Sequence, residues 1–325
     1  MSRFIFTTVP LTGHTVPALP IAKALVDRGH SVRWHTGAAF ADRITQTGAV
    51  HVPMSEYDYS VAGLDAMFPE RLQRNGIGRL RYDLANVFPA TLRGQLKDLQ
   101  AQLADEPADV LVGDMGLLGG PIMQELGGLP FAAFGITVVT YPDPNLAPFG
   151  LGLQPTSGRV GRLRNRLLTT AVRSLLFKPL FDAVNQIRRE NGLLADDGMG
   201  PGYPAHAELF LQLGTAGFDY PREVPEVLHF VGPPRPTRFA GWEPPPWWPQ
   251  IESADRPVVL VTQGTVAVDG DDLLRPTSMR WPTRTCSWLL SPAGPTPPSW
   301  ARYRPTPASN GSCRSISSCL SSTST

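Results

Sequence analysis

Cysteine is absent from the first 277 residues of this 325-residue chain, and Asp, Glu and Lys are absent from its last 48. The first absence excludes a disulfide framework and a thiolate metal site from most of the chain, and it is typical of the reducing cytoplasm. No apolar run reaches the roughly 18 residues that a membrane-spanning helix needs, and Met1–Pro10 is too short for a signal peptide. We therefore expect a cytoplasmic protein without an integral membrane segment.

Residues 278–325, here called the tail, differ in composition from everything before them. They include 12 Ser, 7 Pro, 6 Thr, 5 Arg and all three cysteines, and they show no helical or strand period. Three interpretations are open: a disordered Ser- and Pro-rich extension, a cysteine-bearing module, or translation of a GC-rich gene in the wrong frame. The change at Thr277–Ser278 is abrupt and falls inside a predicted helix, which favours the frameshift. We predict a non-native, disordered tail.

Charge gives no reason to expect a nucleic-acid partner. Before the tail the chain has 24 basic and 28 acidic residues, a formal charge of −4, and the +1 of the whole chain comes from the arginines of the tail. A mildly acidic body lacks the basic surface that binds phosphates.

Apolar periodicity predicts an α/β fold. Strands at Arg3–Val9, Ser31–Thr36 and Val50–Pro53 alternate with helices at Val16–Arg28 and Ala38–Thr47, which indicates parallel pairing in a doubly wound sheet. Further strands are predicted at 109–113, 130–134, 208–213 and 228–231, helices at 79–103, 120–126 and 158–191 with Pro89 and Pro179 inside the two long ones, and long loops at 55–75 and 136–156.

The length of the chain favours two domains. Residues 1–232 are predicted to form a complete Rossmann-like domain. Residues 233–249 hold seven prolines and three tryptophans, so 233–256 is predicted to be a stiff interdomain linker. A strand at Val258–Thr262 begins a second Rossmann-like domain, of which only 257–277 precede the tail.

His14 is the first candidate catalytic residue. It lies in a turn between the first strand and the first helix, where doubly wound folds bind ligands. Gly13 allows a substrate to approach the backbone closely, and a neutral imidazole can remove a proton from a hydroxyl near pH 7. Taken alone, a histidine in a turn is more often structural. The turn has no G-x-G-x-x-G, which argues against an NAD or FAD enzyme.

Asp114 is the predicted partner of His14. It follows the strand at 109–113 and opens its loop at the same edge of the sheet. A carboxylate bonded to an imidazole fixes the tautomer and stabilises the imidazolium as it forms. An N-cap of the following helix is an equally weighted alternative, because Asp is a common cap.

Three segments of the sequence belong together: Pro10-Leu-Thr-Gly-His14-Thr-Val-Pro17, Leu25-Val-Asp-Arg-Gly-His30-Ser-Val and Asp109-Val-Leu-Val-Gly-Asp114. As an ordered set they resemble the family 1 glycosyltransferases, in particular the bacterial macrolide-type enzymes that glycosylate natural products. The resemblance extends from residue 1 to about residue 277, and the proline-rich linker lies where the family has its interdomain connection.

The resemblance implies a GT-B-like fold, in which two facing Rossmann-like domains bind an acceptor and a nucleotide sugar. It implies inverting, metal-independent transfer of a sugar from UDP or dTDP to a hydroxyl of a small natural product. His14 would be the base, and Asp114 would orient it and balance its charge. The nucleotide sugar is a co-substrate, and neither a cofactor nor a metal ion is expected.

The donor side departs from the family pattern. The family's His-x-Gly-x-x-Ser/Thr stretch for the diphosphate and its carboxylate–amide pair for the sugar are missing, since every histidine lies at or before residue 229. Only Gln263, Gly264 and Thr265 match the first donor-binding loop, and a strand-to-helix turn without a ligand explains them equally well. We therefore expect weak or no sugar transfer by this chain.

Acceptor contacts are predicted from the His14 turn and from two aromatic-bearing loops near the same sheet edge. The predicted set is Gly13, Thr15, Tyr57, Met67, Phe68, Thr137, Tyr141 and Phe149. Ordinary loop packing explains the aromatic residues equally well. Four arginines at the start of a predicted helix, at positions 159, 162, 164 and 166, indicate a solvated face in preference to a membrane-surface role.

Two other functions stay open on the sequence. One is a non-catalytic acceptor-binding module, or an acceptor subunit that needs a separate donor-binding partner. The other is a different two-domain enzyme, such as a sugar-nucleotide epimerase.

Overall fold

The computed structural model describes residues 1–196, 206–235, 244, 248–255, 258–262, 273–274, 276–277 and 287–291. The chain divides into two compact units, Met1–Thr237 and Arg238–Thr325. Most of the predicted linker and tail lies outside the described residues. The predicted domain bounds therefore stay predictions.

A seven-stranded parallel sheet forms the centre of the first unit, as the α/β alternation predicts. Its strand order is β3-β2-β1-β4-β5-β6-β7, and every neighbouring pair is parallel. The strands are β1 Arg3–Thr7, β2 Ser31–Thr36, β3 Val50–Pro53, β4 Val110–Asp114, β5 Phe131–Gly135, β6 Leu209–Gln212 and β7 Leu228–Phe230.

The inner strands are covered on both faces. Ile5 and Phe6 of β1 point to opposite faces of the sheet and are both fully buried, as are Leu111 of β4 and Phe134 of β5. Strands buried in this way read as continuous apolar runs, which is why the sequence locates them to within one or two residues.

Helices connect the strands. The α-helices are Thr12–Thr15, Leu19–Asp27, Ala41–Thr45, Tyr59–Ala62, Leu64–Met67, Gly76–Tyr82, Phe88–Asp105, Gly119–Gly127, Arg159–Ala171, Lys178–Glu190 and Trp248–Glu252. The 3₁₀-helices are Val16–Ala18, Ala38–Phe40, Pro69–Gln73 and Ala216–Phe218. Across the described part of the chain, no helix combines the length and the apolar composition that a bilayer crossing requires.

Two prolines inside predicted long helices each follow a π-helical turn. Asp83–Val87 precedes the helix that carries Pro89 in its first turn, and Val172–Phe177 precedes the helix that carries Pro179 in its first turn. Proline cannot donate a backbone hydrogen bond and its ring displaces the preceding turn. The wider turn accommodates each proline without ending the helical path.

The prediction of a long loop over residues 55–75 is wrong in part, because this segment contains short helical turns. These turns are too short to show an apolar period, so the sequence gives no signal for them. Arg71 fixes the last of them, since its guanidinium donates to both carboxylate oxygens of Asp83 at 2.6 and 3.0 Å. Ser55 ties the start of the segment to the helix Phe88–Asp105, through a 2.9 Å backbone bond to Asp98.

The second unit contains a parallel strand pair. β8 (Val258–Thr262) matches its predicted bounds, and it pairs in register with β9 (Ser287–Ser291), so that Val258 lies opposite Ser287. The prediction that no strand occurs in the tail is therefore wrong at 287–291, where the apolar run is only three residues long. Backbone pairing satisfies the polar groups along one edge of β8, which a lone strand would leave open.

The strand order creates a crevice at one edge of the sheet. From β1 the chain builds β2 and β3 on one side, then crosses back to place β4 on the other side of β1. Loops that leave neighbouring strands at such a switch point diverge and open a crevice outside the carboxyl ends of the strands. His14 follows β1, and Asp114 ends β4.

Helix Gly119–Gly127 packs so closely on the sheet that a side chain at Gly120 would overlap the buried ring of Phe131. We expect Gly120→Ala to lower the free energy of unfolding by about 1–3 kcal/mol, as overpacking does. Gly127→Ala in the same helix is the matched control, because its added methyl meets nothing within 4 Å. Urea denaturation of both variants measures the difference; equal midpoints would contradict the close packing.

Candidate active site

A buried hydroxyl network shapes the loop after β1. The indole N–H of Trp34 donates to Oγ1 of Thr8 at 3.0 Å, and the hydroxyls of Thr8 and Thr15 are bonded at 3.1 Å. The hydroxyl of Thr15 also reaches the carbonyl of Val9 at 3.2 Å. These bonds fix both ends of the turn that carries His14, so the imidazole extends from a rigid turn.

His14 and Asp114 are in direct contact. Nδ1 of His14 lies 2.9 Å from Oδ1 of Asp114. The Asp114 side chain is fully buried, whereas a quarter of the His14 side chain is exposed. The pairing predicted from the two sheet-edge positions is thus present. The helix after β4 begins at Gly119 with Leu118 as its N-cap, so the N-cap alternative for Asp114 is wrong.

The partners of Asp114 assign the tautomer of His14. Oδ2 accepts the backbone N–H of Val9 at 2.6 Å, and Oδ1 accepts that of Gly116 at 2.5 Å. A carboxylate held by two N–H donors acts as the acceptor, so Nδ1 of His14 carries the proton and donates it. Nε2 is then the basic nitrogen of the neutral ring, and it has no hydrogen-bond partner among the described residues.

Burial and Asp114 act on the pKa of His14 in opposite directions. Burial is the largest single effect and lowers the pKa, but the hydrogen bond that His14 donates to Asp114 and the negative charge of Asp114 together outweigh it. The pKa of His14 is therefore raised above its usual value of 6.5. This raised pKa favours the imidazolium, which is the state that a base enters after it takes a proton.

Gly116 is a site residue that the sequence analysis missed. A Cβ at this position would lie 2.7 Å from Val9, 2.8 Å from Oδ1 of Asp114 and 3.3 Å from Cε1 of His14. The paired side chains therefore need a glycine here. At Gly13, by contrast, a Cβ would meet nothing within 4 Å, so the fold leaves open space beside the turn.

An apolar cavity of about 150 Å³ adjoins the pair at Gly116. Its lining comes from the β4 and β5 loops, from β6, and from the two π-helical turns with the helices that follow them. The lining residues are Leu84, Phe88, Met115, Gly116, Leu118, Val138, Val139, Thr140, Phe177, Leu180, Phe210 and Gln212. Small-molecule sites combine such an apolar lining with a few polar groups.

Thr137 and Tyr141, two of the predicted acceptor-binding residues, are not among the described residues that line this cavity, although Thr137 contacts two that are. The hydroxyl of Thr137 contacts the sulfur of Met115 at 3.4 Å, and its carbonyl accepts from the amide of Gln212. Tyr141 packs, partly buried, against the main hydrophobic core. The cavity itself was missed because its walls read as ordinary core positions in the sequence.

The other predicted acceptor residues lie elsewhere. Tyr57 stacks on Phe68 with ring centroids 6.0 Å apart, and its positive φ of 56° is unusual for a residue other than glycine. Met67 and Phe149 are exposed, and the hydroxyl of Thr15 is engaged inside its own loop. Their roles in binding stay predictions.

The predicted donor residues Gln263, Gly264 and Thr265 lie outside the described residues. No group of three or more His, Cys, Asp or Glu side chains suited to a metal ion occurs within the part of the chain that the structure describes.

The balance between burial and charge at His14 is open to a direct test. We expect NMR titration to place the pKa of His14 above 6.5 and Asp114→Asn to lower it, because burial then acts without the opposing charge. Because the folded-state pKa is raised, this pair stabilises the fold fully below the unfolded-state pKa, and the contribution is lost as the pH rises through the folded-state pKa. Asp109→Asn is the control, because Asp109 is exposed and pairs with Arg3. An unchanged His14 titration in Asp114→Asn would contradict the contact.

The requirement for glycine at position 116 predicts a large difference between two similar substitutions. Gly116→Ala forces the added methyl against Asp114 and Val9 and should cost about 1–3 kcal/mol of unfolding free energy. Gly13→Ala should stay within about 0.5 kcal/mol of the parent chain, because its methyl enters open space. Thermal and urea unfolding measure both, and equal losses would show that the loop adapts.

Comparisons with known proteins give a consistent result, although no protein-family model matches the chain. The chain is 38% identical over 282 residues to 4'-demethylrebeccamycin synthase of Lentzea aerocolonigenes. The aligned region covers 85% of this chain and 66% of the synthase. The chain is 28% identical over 291 residues to UDP-glucosyltransferase B1 of Starmerella bombicola, with coverages of 82% and 62%. The chain thus spans slightly less than two thirds of the length of these relatives.

A solved structure shares the fold. The glycotransferase of kitacinnamycin superimposes with a TM-score of 0.59 at 17% identity, over 91% of this chain and 69% of that one. The chain is thus similar over most of its length to a bacterial natural-product synthase, and its fold is that of the GT-B glycosyltransferases.

Proposed function

We propose that this chain supplies the acceptor-binding and base-catalytic part of a nucleotide-sugar-dependent glycosyltransferase that modifies a small natural product. The observation that carries the proposal is the His14–Asp114 contact of 2.9 Å at the switch point of the sheet, beside an apolar cavity. The names of the relatives, a rebeccamycin-type synthase and a UDP-glucosyltransferase, support this class of reaction.

The proposed step is a single inverting displacement. Nε2 of His14 takes the proton of an acceptor hydroxyl while the oxygen forms a bond to the anomeric carbon of the sugar. The bond from that carbon to the diphosphate oxygen breaks, and the UDP or dTDP leaves with the electron pair. Asp114 stabilises the imidazolium that results. A metal ion is not needed to activate the acceptor, because the imidazole takes the proton directly.

The cavity favours an acceptor with an apolar skeleton. Thr140 and Gln212 supply the polar side chains of its lining, and the remaining lining is aliphatic, aromatic or glycine. An acceptor seated there would present a hydroxyl past Gly116 toward His14, since Gly116 borders both the cavity and the imidazole. Gln263, Gly264 and Thr265 stay the proposed contacts to the donor.

Acceptor binding without efficient transfer is the second candidate function. Every described residue that lines the cavity lies between positions 84 and 212, inside the first compact unit. This placement supports acceptor binding by the first unit, and a separate donor-binding partner could complete the reaction. The lack of cysteine before residue 286 supports a cytoplasmic location for either function.

Calorimetry and a transfer assay together test the proposal, with aromatic and macrolide aglycones as acceptors and UDP- or dTDP-glucose as donor. We expect His14→Ala to keep acceptor affinity within about threefold and to lower any transfer by about 10²–10⁴-fold. Transfer should rise with pH through the raised pKa of His14, because only the neutral ring accepts a proton.

A cavity variant separates binding from catalysis. Val138→Phe fills the cavity and should weaken acceptor binding about tenfold or more. Val61→Phe should not, because Val61 is 75% exposed on the helix Tyr59–Ala62, away from the cavity lining. Binding without any transfer favours the second candidate. Transfer that survives His14→Ala would refute the role of His14, and unchanged affinity in Val138→Phe would refute the cavity as the acceptor site.

A further inference from the structure

The helix Arg159–Ala171 directs its apolar residues outward. Val160, Leu163 and Leu167 are 84%, 58% and 62% exposed, and their spacing of three and four residues places them along one face. Asn165 lies on the opposite face, where it is buried and donates to the carbonyl of Pro144 at 3.1 Å. A surface helix ordinarily buries its apolar face, whereas this helix exposes its apolar face to solvent.

Four arginines flank the outward apolar stripe. Arg159, Arg162, Arg164 and Arg166 are all exposed, and none of them forms an ion pair with a described residue. The sequence has no Asp or Glu from position 159 to position 181. This local excess of positive charge contrasts with the formal charge of −4 of residues 1–277.

A second apolar element lies in the loop that packs on this helix. Arg162 holds the loop, donating to Oδ1 of Asn145 and to the carbonyl of Ser157, both at 3.1 Å. A side chain at Gly161 would overlap Thr156, so helix and loop are in close contact. The same loop exposes three large apolar side chains, which are Phe149 at 69%, Leu151 at 43% and Leu153 at 39%.

We propose that this arginine-flanked surface, formed by the outward face of helix 159–171 and loop 149–153, binds the surface of an anionic lipid bilayer. An apolar stripe along the helix axis can enter the interface between headgroups and acyl chains, while arginines on either side reach lipid phosphates. Pairing with a second copy is disfavoured, because a two-fold interface would bring the same arginines together.

Vesicle flotation of the full chain tests the proposal. We expect binding to vesicles of phosphatidylcholine mixed with phosphatidylserine, little binding to phosphatidylcholine alone, and weakening as the ionic strength rises. Leu163→Ser combined with Leu167→Ser should reduce binding about tenfold or more, because two large apolar side chains no longer enter the interface. Arg159→Gln combined with Arg166→Gln should remove the preference for phosphatidylserine.

Matched controls exclude general effects of polarity and charge. Ile77→Ser changes an aliphatic residue that is 72% exposed on another helix, and Arg43→Gln combined with Arg81→Gln removes two exposed charges elsewhere. Neither should alter flotation. Absence of binding to anionic vesicles, or equal effects of test and control variants, overturns the proposal. So does a change of sedimentation coefficient without lipid in the Leu163→Ser/Leu167→Ser chain, since this would identify a protein–protein interface.

Discussion

The carboxylate of Asp114 connects segments that lie about a hundred positions apart in the chain. It accepts backbone hydrogen bonds from the loop after β1 and from its own loop after β4, and it accepts the imidazole N–H of His14. The two backbone bonds hold the carboxylate at the edge of the sheet, and this fixed charge sets the orientation, tautomer and pKa of His14. The crevice at the switch point would exist without this interaction, but it would hold no oriented imidazole.

This dependence explains why much of the site could be predicted from the sequence. Buried parallel strands read as apolar runs, so the carboxyl ends of β1 and β4 are visible in the sequence. Residues that follow those ends must meet at one edge of the sheet. The proximity of His14 and Asp114 follows from topology, whereas their contact also needs the space that Gly116 leaves.

What could not be predicted depends on packing between segments that carry no period. Gly116 is required by atoms of Val9, Asp114 and His14, and no local pattern in the sequence shows this requirement. The cavity is lined by residues such as Val139 and Phe210, which look like any other core positions. The aromatic residues that the sequence favoured, Tyr57 and Phe68, stack on each other instead. The outward direction of Leu163 is likewise invisible, because a helical period gives a face but not the side on which the core lies.

The two π-helical turns have a consequence for how the shape of the cavity can diverge between related chains. Leu84 belongs to the first turn and Phe177 to the second, and both contribute to the wall of the cavity. A π turn holds about one more residue than an α turn, so loss of a single residue there would convert it to an α turn and leave the following helix close to its present orientation. Such a change would remove a side chain from the wall of the cavity and leave the sheet, His14 and Asp114 in place. Insertions and deletions of one residue can thus act as a coarse adjustment of pocket shape, next to the finer adjustment that substitutions provide.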